Sequence, residues 1–393
     1  MSEDQFTTVT QTSWISRIGS AISGLLFGLL LFVLSFPVLF WNEGRAVATA
    51  RGLTEGAGAT VSVDAARVDP ANEGRPVHVS GAATAKGLVQ DELLGVAVAD
   101  ALRLERVVEM YQWRERSSSK TEKELGGSSK TTKTTTYDKE WSASPISSSS
   151  FAQPAGHANP TSFPLHASER RAEQVNLGAF TLSPAQVDRI PATEPVRPPV
   201  LAALQVPEPL RSQARISDSL VFFGADPGSP AVGDFRVSFR AAKATEVSLV
   251  AVQRGTTFEP FVTSDGQSID LIKLGHHTAA QLFAQEQTAN QQLTWILRGV
   301  GFVVMCVGLA LILRPLSVLG DVIPFVGNLL EGGVMLISGA VAGVLSTCTI
   351  AVAWIVYRPY IGLGLLVLAG GLAFIVHRHR QQKLGLSAVV GEG

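Results

Sequence analysis

Apolar and polar positions in this chain are patterned on two scales. On the longer one, four apolar stretches bracket a single large polar block. They cover residues 18–40, about 293–313, 333–356 and 361–376. A bilayer core is crossed by about 20 apolar residues of helix, so the first three stretches predict spans. The fourth is shorter and follows the third after Arg358-Pro359, which predicts the return arm of a helical hairpin. On the shorter scale, the block from Trp41 to Gly275 carries the period of two that marks half-buried strands.

Phe235, Val237 and Phe239 alternate with Arg236, Ser238 and Arg240. Residues 246–253 are expected to pair back on that strand, and 258–262 and 269–274 to complete a meander. Upstream, 76–80 reads as a short strand. Val108, Met110 and Gln112 alternate with Glu109, Tyr111 and Trp113, and Thr135, Tyr137, Lys139 and Trp141 alternate on the return. These two runs predict a hairpin with a mobile Ser/Thr/Lys-rich tip over 120–133. Tyr111 and Trp113 are expected to supply much of the domain's buried area. Residues 91–104, rich in Ala and Leu, predict a helix, and the proline-dense 191–209 an extended connector. Thr278 with Gln281 forms a capping box for a helix that enters the second span without a breaker.

The expected fold class is an α+β integral membrane protein, with four transmembrane helices and a large β-rich extracytoplasmic domain between helices 1 and 2. Its layout is a cytoplasmic tail (1–17), span 1 (18–40), the β-rich domain (41–278), a helix running into span 2 (279–313), an interfacial link (314–332), spans 3 and 4 (333–356 and 361–376) and a basic tail (377–393). The semi-apolar link is read as lying on the headgroups in preference to re-entering the membrane. Trp41, Trp295, Trp354, Tyr357 and Tyr360 gather at the interface facing the block and Trp14 marks the other, the pattern of an aromatic belt. Lys and Arg counts barely differ between the two sides, so charge does not set the orientation. Ala48-Thr49-Ala50 follows an apolar run longer than the 7–15 residues or so of a signal peptide, so the first span is read as an uncleaved anchor.

Composition narrows the chemistry. A formal charge of −1 over 393 residues argues against a nucleic-acid partner. The two cysteines, Cys306 and Cys348, fall in expected spans, so the polar block has neither a disulfide nor a cysteine metal cluster. Asn159-Pro160-Thr161 is no glycosylation acceptor, because of its proline. His157, His276 and His277 lack carboxylates or cysteines at ligand spacing and read as solvent-facing. No Gly-x-Ser-x-Gly elbow occurs, and neither catalysis nor a cofactor is expected.

Asn42-Glu43-Gly44-Arg45 recurs as Asn72-Glu73-Gly74-Arg75. Each copy reads as a turn held by its acid and base, in preference to an ion site. Gly24 with Gly28 and Gly339 with Gly343 permit close helix packing, within one chain or between copies. Arg298, about one turn into the second span, is expected to snorkel to the interface.

The residues carrying a wider likeness begin with those two Asn-Glu-Gly-Arg segments. Val108-Glu109-Met110-Tyr111-Gln112-Trp113 follows, then Tyr137 with Glu140-Trp141, Gly156-His157 and Asn159-Pro160. Gly178, Phe180, Leu182-Ser183, Val232-Gly233-Asp234, Arg236-Val237-Ser238-Phe239, Gln253-Arg254-Gly255 and Tyr357-Arg358-Pro359 complete it. In this order the chain resembles the transmembrane protein 43 (LUMA) family. The resemblance implies four spans, a lumenal or extracytoplasmic domain and cytoplasmic termini. Eukaryotic members are associated with the endoplasmic reticulum and inner nuclear membrane, where they organise membrane proteins and oligomerise. The Ala/Gly/Val-rich bias and short, weakly basic tail depart from those members and point to a bacterial one, in a plasma membrane. The expected role is a membrane scaffold, homo-oligomeric, with the lipid bilayer and other membrane proteins as partners. Alternatives are an ion channel or transport component using Ser338, Ser346, Thr347 and Thr349, or a sensor binding lipid or peptide through its domain.

Overall fold

A computed structural model describes residues 4–360 together with Gly362, Gly364 and Val367. The expected fourth span (361–376) and the tail after it otherwise lie outside the described residues. The strands of eight residues or more are β1 (Asp4–Thr12), β2 (Pro76–Ala85), β3 (Arg103–Lys123), β4 (Ser129–Ser142), β5 (Phe235–Ala242) and β6 (Thr245–Arg254). The long helices are α1 (Trp14–Ala59), α2 (Ala279–Gly320) and α3 (Pro324–Tyr357). The chain forms two compact units. One comprises Met1–Thr10, Gly52–Thr121 and Thr131–Glu286, and the other Gln11–Arg51, Glu122–Lys130 and the chain from Gln287 onward.

Among the described residues, the first unit holds two two-stranded sheets and two large, mainly antiparallel ones. One is ordered β1–β4–β3–β5, followed by Leu220–Phe223 and Ala214–Ser217. The β3–β5 register sets Met110 opposite Phe235 and Val108 opposite Val237. Their inward side chains form one core with Val221, Phe223 and Phe239. The other sheet centres on β2 and β6, flanked by Val175–Leu177 and Thr257–Glu259, over a core of Val77, Val79, Leu177, Phe180, Val247 and Leu249.

Several sequence expectations change here. β6 does not pair back on β5; it pairs with β2, Val250 opposite His78. Every residue from Val247 to Gln253 is buried, so the strand needs cover on both faces. Leu249 and Ala251 supply the second core, while Val250 faces Leu53, Ile269, Leu282 and Phe283. Residues 91–104 are not helical. Asp91 Oδ1 accepts from Leu94 N at 2.9 Å, Gly95 and Asp100 take positive φ, and Ala97–Ala99 pairs with Leu88–Gln90. A local side-chain turn here outcompetes Ala/Leu helix propensity. The N-terminal tail carries a strand, β1. The hairpin tip is short: the strands run to Lys123 and resume at Ser129, and Gly126 and Gly127 at φ +85° and +83° make the turn.

In the second unit, α1, α2 and α3 are each long and apolar enough to cross a membrane. Leu26, Phe27, Leu30, Val303, Leu336 and Val344 are exposed on them, an apolar surface suited to lipid. Leu39, Met305 and Ala342 are buried between the helices, packed by Phe32, Phe36 and Phe302. α1 and α2 approach closely at Gly28: a Cβ there would lie 2.6 Å from Leu311 Cβ and 2.8 Å from Gly308 O. The expected link over 314–332 is mostly helix, since α2 reaches Gly320 and α3 opens at Pro324. A proline at a helix start forfeits no hydrogen bond.

Candidate functional site

α1 continues past Phe40 as helix, so Asn42-Glu43-Gly44-Arg45 is not a turn. The alanine-rich stretch after it favours helix, and Gly44 has a packing role. A Cβ on Gly44 would sit 2.7 Å from Tyr357 Cζ, so glycine admits the Tyr357 ring against α1. That ring also lies 5.2 Å from Phe40, centroid to centroid, and Arg51 Nη2 donates to Tyr357 O at 3.0 Å. The segment after the first span and Tyr357-Arg358-Pro359 thus meet.

Glu43 is at the centre and fully buried. Arg298 on α2 donates to it through Nε (2.6 Å) and Nη2 (2.9 Å), and Trp354 on α3 donates Nε1–H at 2.8 Å. Three helices therefore converge on one carboxylate. The Arg298 guanidinium lies over Trp295 at 4.6 Å and Trp354 at 5.6 Å, with Arg358 on Trp354 at 5.8 Å. Arg298 does not snorkel. Its fork geometry matches a carboxylate bidentately, and pairing inside beats reaching for the interface.

Two residues along α1, Arg45 donates to Asn290 Oδ1 (2.9 Å) and Thr294 Oγ1 (3.0 Å) on α2, and to Asn42 Oδ1 (3.3 Å). Asn42 Nδ2 donates to Thr294 O at 3.1 Å and Asn290 Nδ2 to Ala46 O at 2.9 Å. Beside this lattice is a cleft of about 290 Å³, bordered by Asn290, Gln291, Trp295, Arg298, Trp354 and Arg358.

The other expected residues lie elsewhere. Asn72-Glu73-Gly74-Arg75 is a turn, with Gly74 at φ +74°; Glu73 accepts from Gly255 N at 2.8 Å and pairs with Arg254, not with Arg75. A second group gathers on the β3–β4–β5 sheet. Arg236 pairs with Glu109 (2.8 Å) and lies over Trp141, whose ring is 5.2 Å from Tyr111. Asn159 clamps both backbone groups of Trp113 (2.7 and 2.8 Å), while Pro160 lies against Gly233. Asp234 accepts from Ala231 N at 2.8 Å. Each of these contacts fixes local structure. Gly28 packs within the chain, whereas among the described residues a Cβ on Gly24 or Gly339 would meet nothing within 4 Å and one on Gly343 only Phe302 at 4.0 Å. His157 is buried, not solvent-facing: it stacks on Tyr137 and bonds Gln153 O and Asp4. Among the described residues no His/Cys/Asp/Glu group could hold a metal.

A further cluster escaped the sequence reading. Asp321, 1% exposed, pairs with Arg17 and with Lys123 of the hairpin tip (2.9 Å), and Lys123 also reaches Glu331 (2.6 Å). Gly126 N donates to Val322 O, Arg17 to Gly127 O and Trp14 Nε1 to Val318 O. Burial pulls the Lys123 ammonium down, but Glu331 and Asp321 more than offset it, leaving its pKa above the ordinary value. A lone charge in an apolar helix implies a partner; that signal could have linked Arg298 to Glu43. Asn290 and Thr294, spaced i, i+4 on the same helix, mark the adjoining polar face.

The Transmembrane protein 43 family model matches residues 110–359. The chain belongs to the transmembrane protein 43 family. Transmembrane protein 43 of Rattus norvegicus is 35% identical over 364 residues, covering 90% of this chain and 89% of that protein. The Homo sapiens protein is 34% identical over 379 residues (94% and 92%), and the Drosophila melanogaster homolog 29% over 360 (89% and 93%). No solved structure gives a significant match. As a transmembrane protein 43 member with three apolar helices, this is an integral membrane protein. Arg298, Trp354 and Arg358 lie inside the matched stretch, and both Asn-Glu-Gly-Arg segments precede it.

Proposed function

We propose that this transmembrane protein 43 family member is a multi-pass scaffold that holds membrane proteins and lipids in ordered assemblies, as a homo-oligomer and without catalysis. The observation carrying the reading is the Glu43–Arg298–Trp354 junction, to which each described apolar helix contributes one side chain. A buried ion pair adds little net stability over good apolar packing, yet opening it is costly; it favours one fixed helix arrangement. Of the four hydroxyls that a conducting path would use, three are engaged within α3, while the buried Ser338 Oγ has no partner among the described residues. Ser346 and Thr347 donate to Gly343 O, and Thr349 to Leu345 O. That supports a scaffold over a channel or transport component. Gly24 and Gly339, with no neighbour beside them among the described residues, suit contacts between copies.

In this reading the fourth stretch (361–376) completes an even number of spans and the β-rich unit is extracytoplasmic. β1, paired on β4, departs from the cytoplasmic placement expected of the N-terminal tail by joining it to that unit. The membrane is the plasma membrane for a bacterial member and the endoplasmic reticulum or nuclear envelope for a eukaryotic one. The test is ion flux through sealed proteoliposomes of the purified protein, scored beside its mass in detergent. A defined oligomer with no flux supports the scaffold. Flux above empty-vesicle background, lost on deleting 293–376, would replace it with the channel, and a monomer at every concentration would remove the homo-oligomer.

A further inference from the structure

The cleft beside the ion pair has a composition that the scaffold reading does not use. Two guanidinium groups, Arg298 and Arg358, line it, and behind them Glu43 is the carboxylate that Arg298 binds. Arg298 spends Nε and Nη2 on that carboxylate, and its Nη1 has no hydrogen-bond partner among the described residues. Arg358 lies on the Trp354 ring with no ion-pair partner among the described residues. Gln291 adds an amide donor at the rim, and Trp295 and Trp354 form apolar walls. Trp295 is 69% exposed and Tyr360 91%; such amphipathic rings settle at the headgroup level of a bilayer. Positive charge, amide donors, indole walls and interfacial depth occur together here.

We infer that this cleft binds a phosphate group, with Arg358, Arg298 Nη1 and Gln291 as its donors. The aromatic walls take the glycerol end of an anionic phospholipid, and Trp295 and Trp354 report the binding. Guanidinium suits this role because its planar fork matches phosphate oxygens and it is weakly hydrated for a cation. Glu43 anchors Arg298 from behind and fixes where Nη1 points. The inference needs only the helices' place in the membrane and stands or falls apart from the scaffold role.

The test uses the full chain in neutral maltoside micelles and follows tryptophan fluorescence during titration. The probes are dioctanoyl phosphatidylglycerol, dioctanoylglycerol, which lacks the phosphate, and inorganic phosphate. Saturable binding of the phosphatidylglycerol, absent for dioctanoylglycerol, is expected. Arg358→Gln should weaken it roughly fivefold, the effect of one interfacial cation, and Arg358→Lys should restore most of it. Arg298 is left intact, because removing it strands Glu43. Competition by inorganic phosphate at similar concentration would assign the site to a soluble phosphate; absence of competition would assign it to the lipid headgroup. Equal binding of phosphatidylglycerol and dioctanoylglycerol, no saturable signal from either phosphate probe, or an unaltered affinity in Arg358→Gln would overturn the inference.

Discussion

Glu43 and Arg298 stand 255 positions apart in the chain and meet in a two-point ion pair, with the carboxylate fully buried. Removing one partner leaves the other's charge without compensation. Arg298→Ala is expected to destabilise the helical unit by about 3–5 kcal/mol. Adding Glu43→Gln should recover part of that loss, because an amide is less costly to bury than a carboxylate. Thermal melts of the single and double variants in detergent measure the coupling; strictly additive effects would mean that the pair does not act as one.

The two glycines of the first span should differ sharply. A Cβ at Gly28 would press on Gly308 O, a backbone atom that cannot rotate away, whereas one at Gly24 meets no neighbour among the described residues. Gly28→Ala is expected to cost about 1–3 kcal/mol as an overpacked contact, and Gly24→Ala to stay within about 0.5 kcal/mol of the parent. If Gly24→Ala instead lowers the oligomeric mass with the melt unchanged, the open face is a contact between copies.

Met110 should matter more to the β-rich unit than the aromatic residues beside it. Met110 is fully buried in the first core, while Tyr111 and Trp113 are only partly buried on the other face of β3. Met110→Ala is expected to cost about 2–5 kcal/mol. Tyr111→Ala should cost less and leave the unit folded by circular dichroism, contrary to the core role expected from sequence. A larger loss from Tyr111→Ala would restore that role.

His78 gives the β-rich unit an acid sensitivity. Burial holds its pKa below the ordinary value, the bond from its ring to His277 O opposes that, and His276 lowers it further. The folded unit therefore takes up this proton at lower pH than the unfolded chain does. The stability due to neutral His78 is complete above the unfolded pKa of about 6.5 and is lost as pH falls through the folded value. Melting midpoints should drop on acidification through this window, and His78→Gln should flatten that arm. An identical acid arm in the variant would place the titration elsewhere.

Lys123 belongs to the block assigned to one side of the membrane, and its partner Asp321 to a segment assigned to the other. Both assignments and the contact hold together only if the hairpin tip reaches the side of the N-terminal tail, shielded from lipid by protein or water. A cysteine replacing Leu125, which is 85% exposed at the tip, is expected to react with an impermeant thiol reagent from the same side as one replacing Thr12. Asp321→Asn should loosen residues 122–130 in hydrogen exchange. Labelling of Leu125→Cys from the opposite side would separate the tip from Arg17 and Asp321 in the membrane.

Much of the architecture is written in local pattern. Alternation at Val108, Met110, Phe235, Val237 and Phe239 marks the strands whose inner faces form the first core. The Thr278–Gln281 box caps α2, with Thr278 N donating to Gln281 Oε1 at 2.9 Å. Such features are legible because a strand's period or a helix cap involves residues only a few positions apart. The strand partner of β6, the helical course of residues 42–45 and the shortness of the 321–323 link were not. The partner of β6 is chosen by remote β2. The helix at 42–45 continues on local alanine-rich propensity that the turn-forming Asn and Gly masked, and the link is short because α2 and α3 extend to Gly320 and Pro324.

By itself the amino-acid sequence determined that three apolar helices and a β-rich block exist, because hydrophobic burial is tied to periods of 3.6 and 2 residues. It also displayed the charged and small residues from which the site is made. Only the tertiary structure decided that Glu43 answers Arg298 and Trp354, that Arg45 is held by Asn290 and Thr294, and that Arg358 stands at a cleft. A charge shows in a linear chain as a residue type, but its partner is chosen by helix crossing and burial. Those are set by packing between segments that the chain order leaves far apart.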